Sequence, residues 1–161
     1  AIGMEARPPF PKGYEDSIFN LQIKGITPII AHPERYRFIH NDFNLLKIWI
    51  ERGYIIQVDA GSFLGHFGKK IREFTLAMIN KGYIHLIGSD AHNQKKRNFC
   101  LSDAYDFLDS KFGEEFVNIL KENSYRLLKG DKILNIDCEI FKNNKNELSF
   151  LDKIKNKFTL L

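Results

Sequence analysis

Apolar residues in this chain gather into short runs separated by amphipathic stretches, and the alternation repeats three times. Ser17–Lys24 reads as helix, stops at Gly25 and is followed by the strand-like Ile26–Ala31. Asn44–Arg52, Gly53 and Tyr54–Val58 form the second copy, and Ile71–Lys81, Gly82 and Tyr83–Gly88 the third. The three glycines stand 28 and 29 residues apart. Glycine suits the left-handed position just past a helix end. Lys24, Arg52 and Lys81 precede them, where positive charge favours a helix C-terminus. The strand cores are Thr27-Pro28-Ile29-Ile30, Tyr54-Ile55-Ile56-Gln57-Val58 and Ile84-His85-Leu86-Ile87. Apolar runs of this length between helices predict parallel βα units whose sheet is buried on both faces.

Past Asn93 the pattern turns helical. Asp103–Phe112 and Glu114–Glu122 predict two helices. From Lys142 to Lys157 the chain is rich in Lys and Asn, with Leu148, Leu151, Ile154 and Phe158 at helical spacing, and a final amphipathic helix is expected there. Three or four strands fall short of a closed barrel, which takes about eight strands and roughly 250 residues. The expectation is an α/β fold that is either an open sheet or part of a barrel. Open sheet edges tend to pair with another chain, so association with a second copy or with more polypeptide is expected.

Composition changes this picture little. The length of 161 residues suits one domain, and 43% hydrophobic residues suffice for a core. The net charge of +4 is mild and reads as a solvated basic surface. No aromatic and basic platform for nucleic acid stands out. No apolar run approaches the roughly 20 residues of a membrane span, and the first residues lack a basic segment leading into an apolar one. Cys100 and Cys138 lie in no metal-type or redox spacing, which fits a reduced, cytoplasmic setting.

Candidate chemistry sits where parallel α/β proteins collect it, at the C-terminal ends of strands. His32 to Arg35 ends the first strand, Asp59 to Gly61 the second and Ser89 to His92 the third. In an extended segment residues two apart point to one side, so Asp90 and His92 are expected to face one ion, with His32 arriving from another strand. Imidazole and carboxylate suit zinc, manganese or iron over calcium. Arg35 and Arg97 lie just past these positions, and arginine binds phosphate through paired, charge-assisted hydrogen bonds. Each of these residues has an ordinary surface reading, and their coincidence at neighbouring strand ends favours the functional one.

Other polar positions carry less. Gly61 to Lys69 lacks the phosphate-loop spacing, since Phe63 stands where the first Gly is needed before Gly68-Lys69, and reads as a tight rim loop leading into a helix. His66 and His40 are expected to be exposed, His85 structural, and Trp49 part of the core. Neither cysteine is followed by Arg six positions on, where Asp106 and Asn144 stand. The chain thus lacks the loop of thiol-based tyrosine phosphatases, and it has no Gly-x-Ser-x-Gly elbow.

Three motifs together resemble the PHP (polymerase and histidinol phosphatase) superfamily: Pro28-Ile29-Ile30-Ala31-His32-Pro33-Glu34-Arg35-Tyr36, Gln57 to Gly65, and Ser89-Asp90-Ala91-His92-Asn93. The branch they resemble most is the bacterial tyrosine phosphatases of capsular and exopolysaccharide loci, over roughly residues 4 to 130. The resemblance implies part of a distorted seven-stranded (β/α) barrel over residues 1–130, with 131–161 a helical C-terminal extension. It implies a multinuclear metal centre, usually manganese, and hydrolysis of phosphotyrosine on the tail of a kinase that controls polysaccharide export. By motif, His32, Asp90, His92 and, on an earlier strand, Glu5 would be metal ligands, and Arg35 and Arg97 would contact the phosphate. Asp59 stands where relatives carry Asn. The family also begins with a His-x-His pair, whereas this chain has no His before His32. These residues alone therefore leave the cluster incomplete, and the expectation is the C-terminal portion of a longer domain. The alternatives are a different PHP-type phosphoesterase or an inactive truncated scaffold.

Overall fold

The computed structural model of the chain describes residues 13–91 and 100–136. Within them the three predicted strands form one parallel sheet in the order β1 (Ile29–Ala31), β2 (Ile55–Asp59), β3 (Leu86–Gly88). Ile29 pairs with Ile55 across β1 and β2, and Asp59 with Gly88 across β2 and β3. Because the strands are parallel and in adjacent register, their C-terminal ends meet on one side of the sheet.

The helices follow from the spacing of apolar residues. After the short α2 (Arg37–Asn41), α3 (Asn44–Glu51) fully buries Leu46 and Trp49, one turn apart. In α5 (Lys69–Asn80) Ile71, Thr75, Leu76, Met78 and Ile79 make the inner face. Helices α6 (Leu101–Phe112) and α7 (Glu114–Lys129) meet across the single residue Gly113 and bury Leu108 against Phe116 and Leu120. Central strand β2 carries Ile56 and Val58 into this core. Gly25, Gly53 and Gly82 all have positive φ, at 76°, 81° and 71°, as expected of residues closing helices. α1 (Tyr14–Ile23) buries no residue, and Phe19 (61%), Ile23 (67%), Ile26 (50%) and Ile29 (40%) leave an exposed apolar flank beside β1.

Several boundaries differ from expectation. β1 begins at Ile29, three residues later than predicted, because Pro28 has no N–H to give the ladder. The expected rim loop 61–69 is partly helical: α4 (Ala60–Leu64) starts directly at the end of β2 and closes at Gly65, φ 95°. α7 runs to Lys129, beyond the predicted Glu122. The helix expected over 142–157 lies outside the described residues.

β3 begins at Leu86 because the ring of His85 takes a ladder position. The backbone N–H of Ile56 donates to His85 Nδ1 at 3.1 Å, while His85 Nε2 meets Asn135 Oδ1, also at 3.1 Å. An amide oxygen can only accept, so Nε2 carries the proton and the ring is neutral. Fully buried Asn123 of α7 completes the arrangement, donating to the carbonyls of His85 and Leu134 and accepting from the Leu134 N–H. Burial lowers the His85 pKa from its ordinary 6.5, with the Asn135 contact acting the other way. The unfolded chain therefore takes up this proton first as pH falls. The stability it contributes is complete above the ordinary value and is lost as pH drops through the lowered folded one. His85→Gln should be less stable at neutral pH yet have a shallower dependence on pH, by at most about 1.4 kcal/mol per pH unit. Denaturant titrations of both proteins from pH 7.5 to 5 measure this, and parallel curves would exclude His85 as the source.

Candidate functional site

The first piece of the site is the turn after β1. His32 donates its N–H to Gln57 O at 2.7 Å, the last bond to β2, and then adopts φ 41°. Pro33, Glu34 and Arg35 follow as a single 3-10 turn, closed by Arg35 N–H to His32 O and Tyr36 N–H to Pro33 O. At the end of β3, Asp90 has φ 43°. His32 and Asp90 are the only non-glycine residues at positive φ among the described residues. Such backbone is costly and clusters at functional sites. It also corrects the sequence argument at this point. Asp90 is not extended, so the strand alternation invoked for Asp90 and His92 does not begin there.

Arg35 links the three strand ends. Its Nη1 lies 2.8 Å from Asp90 Oδ2 and 3.6 Å from Asp59 Oδ2, and its guanidinium sits 4.6 Å from the centre of the Phe67 ring. Asp59 is almost entirely buried, while the side chains of Arg35 and Asp90 keep 18% and 19% exposure, enough for a ligand to reach them. Asp59 also caps α4, its Oδ1 accepting from the Gly61 N–H at 2.9 Å. A Cβ on Gly61 would stand 3.1 Å from the Phe67 ring, so glycine there lets Phe67 fold back toward the site.

Beneath Arg35 lies Glu34, fully buried. Its Oε1 accepts from the Asp59 backbone N–H at 3.0 Å and from the Ser62 hydroxyl at 2.6 Å. Oε2 is buried with no hydrogen-bond partner among the described residues. Burial pushes its pKa up to about 7; the Ser62 and Asp59 donors pull the other way, and the Asp59 charge adds to the rise. The carbonyl of Glu34 accepts from His40 Nε2 at 2.7 Å. His40, expected to be exposed, is instead half-buried and stacked on Phe74 of α5 at 4.0 Å.

Of the residues singled out in the sequence, the fold thus brings His32, Arg35, Asp59 and Asp90 to one rim. Trp49 is core, His85 is structural and His66 is exposed, as expected. Glu5, His92 and Arg97 lie outside the described residues. Glu34 was missed as a contributor, for a glutamate beside an arginine reads as surface. The capping role of Asp59 was missed with it, because the short helix it caps was expected as a loop. Buried Cys100 has its thiol pushed up by burial and further by the Asp59 charge, the opposite of an activated nucleophile.

The donor chemistry of His32 and Asp90, imidazole and carboxylate at strand ends on one side of the sheet, suits a transition metal. Their number does not complete a centre. Among the described residues no group of three His, Cys, Asp or Glu could hold an ion. Nor is any described helix long and apolar enough to cross a membrane.

Comparison with known proteins follows the same residues. Positions 12–129 match the family described as "Capsular polysaccharide synthesis, CpsB/CapC". Tyrosine-protein phosphatase YwqE of Bacillus subtilis is 41% identical over 123 residues, covering 76% of this chain and 48% of that protein. Tyrosine-protein phosphatase CpsB of Streptococcus agalactiae is 30% identical over 132 residues, covering 76% of this chain and 53% of its own. Crystal structures of YwqE from Bacillus subtilis and CpsB from Streptococcus pneumoniae, described as unique metal-dependent tyrosine phosphatases, include a match with a TM-score of 0.75 at 39% identity. That match covers 80% of this chain and 52% of the other. The chain spans about half the length of the curated relatives it matches.

Proposed function

The chain belongs to the CpsB/CapC family, the PHP-type bacterial capsule tyrosine phosphatases, and on that premise we propose that it forms the phosphate-binding side of a metal-dependent protein-tyrosine phosphatase. The observation that carries this reading is Arg35. It is held by Asp59 and Asp90 at the meeting point of three strand ends, yet remains open to solvent on one side. A guanidinium has five N–H donors in a fixed fork, so Nη1 can stay on the carboxylates while other donors face phosphoryl oxygens. Fixed in place before substrate arrives, it stabilises charge developing on the phosphoryl group. Arg97 would add a second such contact.

His32, Asp90 and His92 would hold a metal, manganese by family preference, with Glu5 as a further ligand. The ion's chemistry is Lewis acidity toward phosphoryl oxygens and activation of water. Residues 1–130 would be the C-terminal portion of a distorted seven-stranded barrel, with 131–161 as an extension, and the remaining ligands and strands would come from the rest of that barrel. The exposed apolar flank of α1 and β1 supports a missing neighbour on that side. The substrate would be phosphotyrosine in the tail of a polysaccharide-export kinase in the cytoplasm. The test is phosphate release from phosphotyrosine peptide, histidinol phosphate and single-stranded DNA by the complete gene product with added manganese. Preference for the peptide is expected. No hydrolysis of any phosphotyrosine peptide, or a strong preference for DNA, would overturn this reading.

A further inference from the structure

We propose that Glu34 is a positioning residue that locks the turn after β1 and so holds the guanidinium of Arg35 over the site. Its importance for turnover rests on the reading of Arg35 as the phosphate-binding group. A single 3-10 turn has poor hydrogen-bond geometry and does not hold a side chain in place by itself. The turn Pro33–Arg35 is nonetheless anchored from two directions. The Glu34 side chain reaches the end of β2 and the first turn of α4, through the Asp59 N–H and the Ser62 hydroxyl. Its carbonyl is bonded to His40, which is stacked on α5. Consecutive residues therefore grip the same partner: Glu34 takes the backbone of Asp59, while Arg35 faces the Asp59 carboxylate at 3.6 Å. Slack in the first contact lets the second drift, because both run from the same three-residue turn to Asp59.

Burying a carboxyl this completely is costly in any protein, and an apolar residue would pack a plain core more cheaply. Two good donors converge on one oxygen, and removing that oxygen would strand both the Asp59 N–H and the Ser62 hydroxyl inside the protein. Glutamine keeps an acceptor at that place and puts its amide toward the side where Oε2 has no described partner. Glu34→Gln should therefore preserve the geometry, and Glu34→Ala should not.

The experiment reads the Arg35 guanidinium directly, by its side-chain N–H signals in the nitrogen-labelled protein, assigned through Arg35→Lys. In Glu34→Gln the Arg35 signal should stay in place. In Glu34→Ala it should move to the position of a solvated arginine and exchange at least about tenfold faster. The Arg126 signal is the control, since its Nε is held by Glu122 at 2.8 Å on distant α7, and it should not change. A general loss of structure would move both. If Glu34→Ala does not fold, Ser62→Ala removes one of the two donors and should shift Arg35 in the same direction by less. An Arg35 signal unmoved in the folded alanine variant, or in Ser62→Ala where that variant stands in, overturns the proposal. A titration with inorganic phosphate forms the second arm. Binding that perturbs Arg35 in the wild type and weakens on the order of tenfold in Glu34→Ala is expected. Wild-type protein that ignores phosphate while Arg35 still responds to Glu34→Ala would sink the phosphate-binding reading and leave the positioning role standing.

Discussion

On the proposed function, Arg35→Lys in the complete gene product is expected to lower kcat/KM on a phosphotyrosine peptide by about 10²–10³, the loss seen when one preorganised donor to a developing oxyanion is removed. Lysine is the informative replacement because it separates charge from geometry. It keeps a cation between Asp59 and Asp90, whose carboxylate oxygens lie 3.6 and 2.8 Å from the same Arg35 nitrogen. Without that cation, nearly buried Asp59 and Asp90 would lose the charge between them, and an alanine variant would mix unfolding with loss of function. What lysine removes is the planar fork, which can face a phosphate while one nitrogen remains on the protein. It also loses the guanidinium contact with the face of Phe67, whose ring centre lies 4.6 Å away. The melting temperature should thus stay near wild type while turnover collapses, with kcat falling more than KM rises. A decrease of less than threefold in kcat/KM would remove Arg35 from the chemistry.

How much of this could be read from the sequence depends on whether a feature is local. The three βα units follow from short-range signals: a glycine at positive φ, a basic residue before it and an apolar run after it. All three strands appear in the sheet, parallel as expected. Their starts were misjudged where a tertiary contact intervenes, as at His85, whose ring replaces a backbone acceptor for Ile56. The gathering of His32, Arg35, Asp59 and Asp90 follows from strand order and register, so it too was legible. Glu34 was not. Its burial arises from donors 25 and 28 residues further along, and no periodicity joins them. His40 is the same case, because its ring stacks on Phe74 from an element 30 or so residues distant. Nor does composition give the backbone at Asp90, whose left-handed φ replaces the extended geometry assumed for it.

That backbone decides how the proposed metal ligands should be tested. Asp90→Asn and His32→Asn are expected to lower manganese affinity by at least about 10–100-fold, the scale on which even outer-shell partners of a metal act. Alanine is the wrong probe at either position. With φ at 43° and 41°, an alanine would add roughly 1–2 kcal/mol of left-handed strain unrelated to any ligand. Asparagine, like histidine and aspartate, is enriched in that conformation, so it keeps the turn and changes only the donor. At Asp90 it exchanges a carboxylate for a neutral amide. The change also weakens the 2.8 Å contact to Arg35, so phosphate affinity should shift with it. At His32 it removes the imidazole at the end of the opposite edge strand while leaving the 2.8 Å Arg35–Asp90 contact in place, so metal binding should fall with less effect on phosphate than at Asp90. The two variants therefore differ in what they couple, and titrating each with manganese and with phosphate by calorimetry separates them. Unchanged manganese affinity in both, with melting temperatures near wild type, would mean that the strained ends of β1 and β3 serve the Arg35 site alone and that the metal is held elsewhere.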